Sequence, residues 1–269
     1  MSALNPAPLF RAPDLSSGAR HVWQRNFDVF RRIWRTESLG IGLEPWIVIV
    51  AMGFGLGRFV ELDSEQTYIQ FLAPGLLAMF PMFAAIFECG WGAFMRLETH
   101  RTYEAVLTTP ASVDDLITGD ILWGTTRATF NALYILVVLL ILAPWAEAID
   151  SPWAILVLPI AVLQGFLFSA LAMSFAALAR AMSHFGYLFN VIVMPMFWLS
   201  GGFFPLENLP DWAQRVAWFM PLVHSVELNR AVLAGDLRPE LLVDVAWLLV
   251  GSWVFYRIAL GLMRRRLVV

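Results

Sequence analysis

Trp153–Ala179 reads WAILVLPIAVLQGFLFSALAMSFAALA and carries no charged residue. A helix rises about 1.5 Å per residue, and roughly 20 apolar residues cross the hydrocarbon core of a bilayer. This stretch is long enough to span on its own and sets the class of the chain. Working outward, five more segments pass the same test: about Gly40–Phe59, Tyr68–Met95, Ile121–Trp145, Phe185–Phe204 and Val243–Met263. Pro74 and Pro81 inside the second do not count against it, because membrane helices tolerate Pro better than soluble ones. Composition agrees. Of 269 residues 59% are hydrophobic and only 14% charged, against about 25% charged in a soluble domain. The expectation is an all-α membrane protein with six transmembrane helices in a single domain, residues 1–269. Residues 1–18 read as a flexible head, 19–35 as a separate helix, 40–263 as the bundle and 264–269 as a tail.

Arginine placement sets the orientation. With six spans, Arg11, Arg20, Arg25, Arg31, Arg32, Arg35, Arg96, Arg101, Arg180, Arg264, Arg265 and Arg266 fall on one side, and Arg58, Arg215, Arg230 and Arg238 on the other. The positive-inside rule makes the first side cytoplasmic and places both termini there.

Three segments outside the spans carry information. In Ala19–Arg35, Val22, Trp23, Phe27, Phe30, Ile33 and Trp34 recur at helical spacing while Arg25, Asp28, Arg31 and Arg32 fall elsewhere. That pattern predicts an amphipathic helix lying in the inner interface, or else a soluble helix packed on the cytoplasmic face. The inner loop Arg96–Gly119 reads as helix, turn, helix. Leu97, Tyr103, Val106 and Leu107 form one face, Thr108-Thr109-Pro110 breaks the chain, and Ser112 caps a second helix with Asp114 and Asp115 in its first turn. A folded hairpin in place of a short connection suggests docking. The outer segment Phe203–Arg238 is too apolar for an aqueous loop and too broken by Pro205, Pro210 and Pro221 for a span, so it predicts short helices dipping into the outer leaflet.

Charges within spans are costly. Glu88 and Arg127 lie at similar depth near the cytoplasmic ends of the second and third spans, with opposite sign. They are expected to face each other, as a gate element or as a static pair fixing helix register, the alternative being a Glu88 that is simply protonated. Asp120 sits at a helix edge, and the Asp pair of an intramembrane aspartic protease is missing. Several chemistries are excluded. No Lys exists among the 18 basic residues, so the chain has no P-loop and any ATP must be hydrolysed by another subunit. Lone Cys89 forms no internal disulfide, and no His spacing matches a metal motif. The chain is therefore not expected to be an enzyme, nor to bind a cofactor or metal. The absence of Lys hints at a GC-rich bacterial source and so an inner-membrane location. An ATP-independent secondary transporter or a membrane scaffold remain the competing classes.

Three stretches, YIQFLAPGLLAM at Tyr68–Met79, TYEAVLTTPASVDDLITGDILWGTTRA at Thr102–Ala128 and FWLSGGFFPLENLPDWAQRVAWFMPLVHSVELNRA at Phe197–Ala231, resemble in order and spacing the permease subunits of type-2 ABC exporters, most closely the NodJ-like branch. The resemblance implies two permease copies working with two cytoplasmic ABC ATPase subunits, which bind the ATP and magnesium. It implies a pathway at the permease dimer interface for a lipid-linked saccharide, polysaccharide or hydrophobic drug, and calls for no nucleic acid. It makes the hairpin the coupling element, with Tyr103, Glu104 and Leu107 as ATPase contacts and Ser112 and Asp115 on its hinge side. It would draw the pathway lining from aromatics such as Phe54, Phe83, Trp91, Phe197 and Trp198.

Overall fold

A computed structural model describes residues 12–55, 57, 59, 66–146, 149 and 151–267. Among them the chain is all-helical, with no strand. The helices are α1 (Gly18–Val48), α2 (Tyr68–Ile86), α3 (Thr102–Leu107), α4 (Val113–Ala146), α5 (Val157–Leu178), α6 (Phe185–Tyr187), α7 (Met194–Trp198), α8 (Asp211–Trp218), α9 (Pro221–Ala234) and α10 (Leu241–Leu267). Wider π-helical turns prolong α1 over Ile49–Gly55, extend α2 through Phe87–Gly92 and Met95–Thr99, and join α6 to α7 over Leu188–Val193.

Local chemistry sets the starts. Thr67 and Gln70 exchange side-chain and backbone bonds in a capping box at the head of α2. Ser151 accepts from the amide of Trp153, and Pro152 opens the turn leading into α5. Ser112 accepts from the Asp115 amide at 3.0 Å while Asp115 Oδ2 accepts from the Ser112 amide at 3.2 Å, which starts α4. Gly235, at φ +78°, ends α9 in the left-handed region that favours glycine.

Among the described residues four helices are long and apolar enough to cross a bilayer: Tyr68–Thr99, Val113–Ala143, Pro152–Leu178 and Leu241–Leu267. The other two expected spans differ. The first has only the shorter apolar stretch Leu43–Gly55, and its expected end at Phe59 falls partly outside the described residues. The fifth stops at Trp198; Leu199–Phe204 turn back, with Gly201 at φ +74°.

The expected break between residues 35 and 40 is also absent. Residues 18–48 form one helix, and it climbs beside α4 in the same direction. An added Cβ on Gly119 would lie 2.6 Å from the Ala19 carbonyl, so the two backbones touch there. Further along, Trp23 Nε1 donates to Thr126, Phe30 stacks on Phe130, and Trp46 Nε1 donates to Tyr134. Packing on α4 holds this helix over residues 19–30, with one further bond at Trp46. Val29, Ile33 and Trp34 stay exposed on its outer side.

Neither terminus hangs free where described. The Asp14 amide donates to Asp114, and the Ser16 amide and hydroxyl donate to Asp115, each at 2.7 Å. The expected flexible head is thus tied down over residues 12–17; residues 1–11 lie outside the described residues. The tail continues α10 to Leu267, with Arg264 paired to Asp114, and Arg266 capping the Ala176 carbonyl at 2.6 Å and reaching Glu98 at 2.6 Å. These bonds gather the N-terminal segment, the hairpin and the ends of α2, α5 and α10 at one end of the bundle. At the opposite end α9 packs on α2 and α10. His224 stands there between Asp244 at 2.6 Å and the Trp218 carbonyl at 2.8 Å.

Candidate coupling site at the base of the bundle

Asp120 is the centre of this end. It is fully buried on α4. One carboxylate oxygen accepts from Asn26 Nδ2 at 2.6 Å; the other accepts from Arg96 Nε at 3.1 Å and from the Tyr103 hydroxyl. Arg25 Nη2 stands 3.8 Å away. Its donors come from α1, from the extension of α2 and from α3. A carboxylate taken out of water needs charged and hydrogen-bonding partners, and these supply both.

Arg96 carries the network further. Its Nη1 donates to Glu88 Oε1 at 2.8 Å and its Nη2 to the Glu88 carbonyl at 3.1 Å. Glu88 lies on the π-helical turn Phe87–Gly92 and approaches Arg127 Nε of α4 at 3.7 Å. The Arg127 guanidinium lies 4.6 Å from the centre of the Phe30 ring on α1. Glu88 and Arg127 are therefore neighbours, but the shorter bond to Glu88 comes from Arg96. Reading the two as an isolated pair missed that third member.

The hairpin residues divide by exposure. Arg101, at φ 48°, turns the chain between the end of α2 and α3. Glu104 is exposed and Leu107 half-buried. Tyr103 is fully buried, and its hydroxyl is spent on Asp120. Burial first, and then the Asp120 carboxylate, raise the Tyr103 pKa well above its ordinary value, which keeps it a donor. Asp115 is buried under Ser16. Tyr103 thus presents no surface to a partner, contrary to its expected role as an ATPase contact, and Asp115, expected on the hinge side, is closed off as well. Tyr103 ties the hairpin to the bundle, and Asp115 with Ser112 anchors the start of α4.

The aromatic residues expected to line a path are only partly brought together. Phe83 meets Phe197 at 5.5 Å between ring centres, and Phe197 meets Trp198 at 5.1 Å. Trp91 lies 5.9 Å from Phe185, nearer the base. Phe54 packs on the core apart from these rings. The sequence reading passed over Phe87, which sits one turn from Phe83 and meets Phe189 at 5.0 Å. Its spacing of four from both Phe83 and Trp91 was the available signal. Phe87, Trp91 and Trp198 are 52%, 43% and 54% exposed, which leaves an uncovered aromatic strip along the α2 extension and the α6–α7 segment. Among the described residues no group of three or more His, Cys, Asp or Glu side chains is placed to hold a metal.

A family model described as ABC-2 type transporter matches residues 19–234. The chain is 33% identical to nodulation protein J of Neorhizobium galegae over 248 residues, covering 91% of this chain and 92% of that one. It is 32% identical to nodulation protein J of Rhizobium meliloti over 246 residues, with the same shares. Against the inner membrane transport permease YadH of Escherichia coli the identity is 22% over 246 residues, covering 91% and 94%.

Proposed function

The chain belongs to the ABC-2 type transporter family, and we propose that it is the permease subunit of an ATP-driven exporter, powered by a separate ABC ATPase. Its cargo is an amphiphile such as a lipid-linked saccharide, with polysaccharides and hydrophobic drugs in the same chemical range. Leu43–Gly55 and the Phe185–Trp198 stretch complete six crossings, and α8–α9 form the outer re-entrant pair. Both termini then face the cytoplasm of a bacterial inner membrane.

The observation that carries this reading is the build of α3. It offers Glu104 and the Thr108–Pro110 turn outward, while inward its Tyr103 is bonded to the one carboxylate that also holds α1 and the α2 extension. A push on the hairpin therefore reaches three membrane-entering helices through short, directional bonds. Packed and hydrogen-bonded interiors of this kind transmit displacement instead of absorbing it. The uncovered strip at Phe87, Trp91 and Trp198 supports a pathway formed against a second copy of the chain, since contiguous exposed aromatics of this size mark a partner or ligand face.

The test is capture of a candidate ABC ATPase subunit, co-expressed with this chain and purified in detergent. Wild type is expected to retain it, and the Glu104→Arg, Leu107→Asp double variant to lose it while still eluting as a monodisperse peak. Full transport by the chain alone in vesicles without an ATPase would refute the proposal.

A further inference from the structure

A groove of about 660 Å³ opens between the start of α1, residues 118–130 of α4 and the middle of α5. Arg20 and Trp23 of α1, Leu122 and Phe130 of α4 and Val162 of α5 line it. From Thr118 to Phe130 it follows α4 for about 18 Å, at 1.5 Å per residue. Its two ends differ. Ser16 and Arg20 stand at the end nearest the base. Beyond the other end the side chains that α4 exposes are hydrophobic: Leu133, Tyr134, Val137, Leu140 and Ile141. The groove therefore leads from the polar boundary into the lipid-facing surface. Its other polar groups are turned inward. The hydroxyls of Thr125, Thr126 and Thr129 donate to carbonyls four residues earlier at 2.8, 2.8 and 2.9 Å, and that of Thr118 is bonded to Tyr256. Trp23 Nε1 donates to Thr126, and the Ser16 hydroxyl to Asp115. Arg20 has no hydrogen-bond or ion-pair partner among the described residues, which makes it the one lining side chain there with unspent donors.

We propose that this groove seats an anionic glycerophospholipid of the bilayer, with its phosphate on Arg20 and one acyl chain along Leu122, Phe130 and Val162. Basic pockets at the polar end of membrane helices suit acidic headgroups. The headgroup charge is specified because Arg20 faces no free acid: Asp115, the nearest, is held by Ser16 and Ser112. A lipid is favoured over a free anion because one exposed guanidinium holds a small solvated anion weakly, whereas each methylene laid in the apolar length adds to binding. None of the lining residues belongs to α2 or to the α6–α7 segment. The site is thus separate from the uncovered aromatic strip and does not depend on the exporter reading. A lipid in place braces α1 against α4 beside the Trp23–Thr126 and Asn26–Asp120 bonds.

The experiment places the full chain in nanodiscs of phosphatidylglycerol and phosphatidylethanolamine. Lipids still bound after release into detergent are counted by native mass spectrometry. Wild type should retain one phosphatidylglycerol in preference to phosphatidylethanolamine. Arg20→Gln should lower that preference about fivefold, the size expected for one arginine at an anionic lipid surface. Arg31→Gln, exposed on α1 outside the groove, should leave it unchanged. Leu122→Trp fills the groove, keeps the charge and should also lower the preference. Gel filtration checks that each variant remains folded. Phosphatidylglycerol with a photoreactive acyl chain should label peptides within residues 118–130, and excess inorganic phosphate should not prevent it. If Arg20→Gln keeps the wild-type preference, if Arg31→Gln loses as much, or if the label spreads evenly over the lipid-facing helices, the site is refuted. Labelling abolished by phosphate would overturn it in favour of a free-anion site. The exporter reading stands under each of these outcomes.

Discussion

At the scale of single residues, buried charge decides the behaviour of this end of the protein. Replacing Asp120 with Ala leaves Arg96 with Glu88 alone and strips Asn26 and Tyr103 of their buried acceptor, and removing one member of a buried pair typically costs about 3–5 kcal/mol. A marked fall in thermal midpoint in detergent is expected, or loss of the monodisperse peak; an unchanged midpoint would show that Asp120 is not the hub. Tyr103→Phe keeps the packing and deletes one bond to a charged group, a loss of about 1.5–3 kcal/mol. The prediction is a smaller drop in midpoint than for Asp120→Ala, with exporter ATPase activity less responsive to cargo. Little of this was legible beforehand. Glu88 and Arg127 were found because they sit at matching depth with opposite sign. The donors to Asp120 come from positions 94, 24 and 17 residues away in sequence. Their convergence depends on how three helices are rotated about their axes, and no local pattern encodes that.

At the scale of elements, caps were readable and continuity was not. Ser112 and Asp115 stand three apart before an apolar run, and they do start α4. Ser112→Ala should cost about 1 kcal/mol and raise amide exchange over residues 112–116 without disturbing α5. Equal exchange in both proteins would contradict the cap. The sequence divided a helix over 19–35 from a span beginning near Gly40, yet α1 runs through from Gly18 to Val48. Contacts to α4 on both sides, Phe30 with Phe130 and Trp46 with Tyr134, hold it as one rod. The crossing depends on Gly119, where a side chain would meet the Ala19 carbonyl and Val22. Gly119→Val is therefore expected to separate α1 from α4, seen as faster proteolysis within residues 12–36, whereas the same change at Gly186, with open space around it, should have no such effect.

At the scale of the whole molecule, the uncovered aromatic strip is the largest unexplained apolar feature among the described residues on the α2 and α6–α7 side. If a second copy covers it about a two-fold axis, equivalent residues near that axis approach each other. In a Cys89→Ser background, Trp91→Cys should form a disulfide-linked dimer in membranes, and Val250→Cys, exposed on α10, should not. Equal cross-linking at both positions, or none at Trp91, would place the partner elsewhere.

Apolar length and composition were sufficient to make this chain a helical membrane protein, because helix formation and transfer into lipid depend on residues a turn apart and on their sum. Rotation, depth and contact between helices were settled only by packing. Thus Tyr103 turned inward from an expected surface, Asp120 acquired partners from three elements, and the N-terminal helix packed its start on α4, each because burying a side chain or satisfying a charge outweighed what its immediate neighbours in sequence prefer.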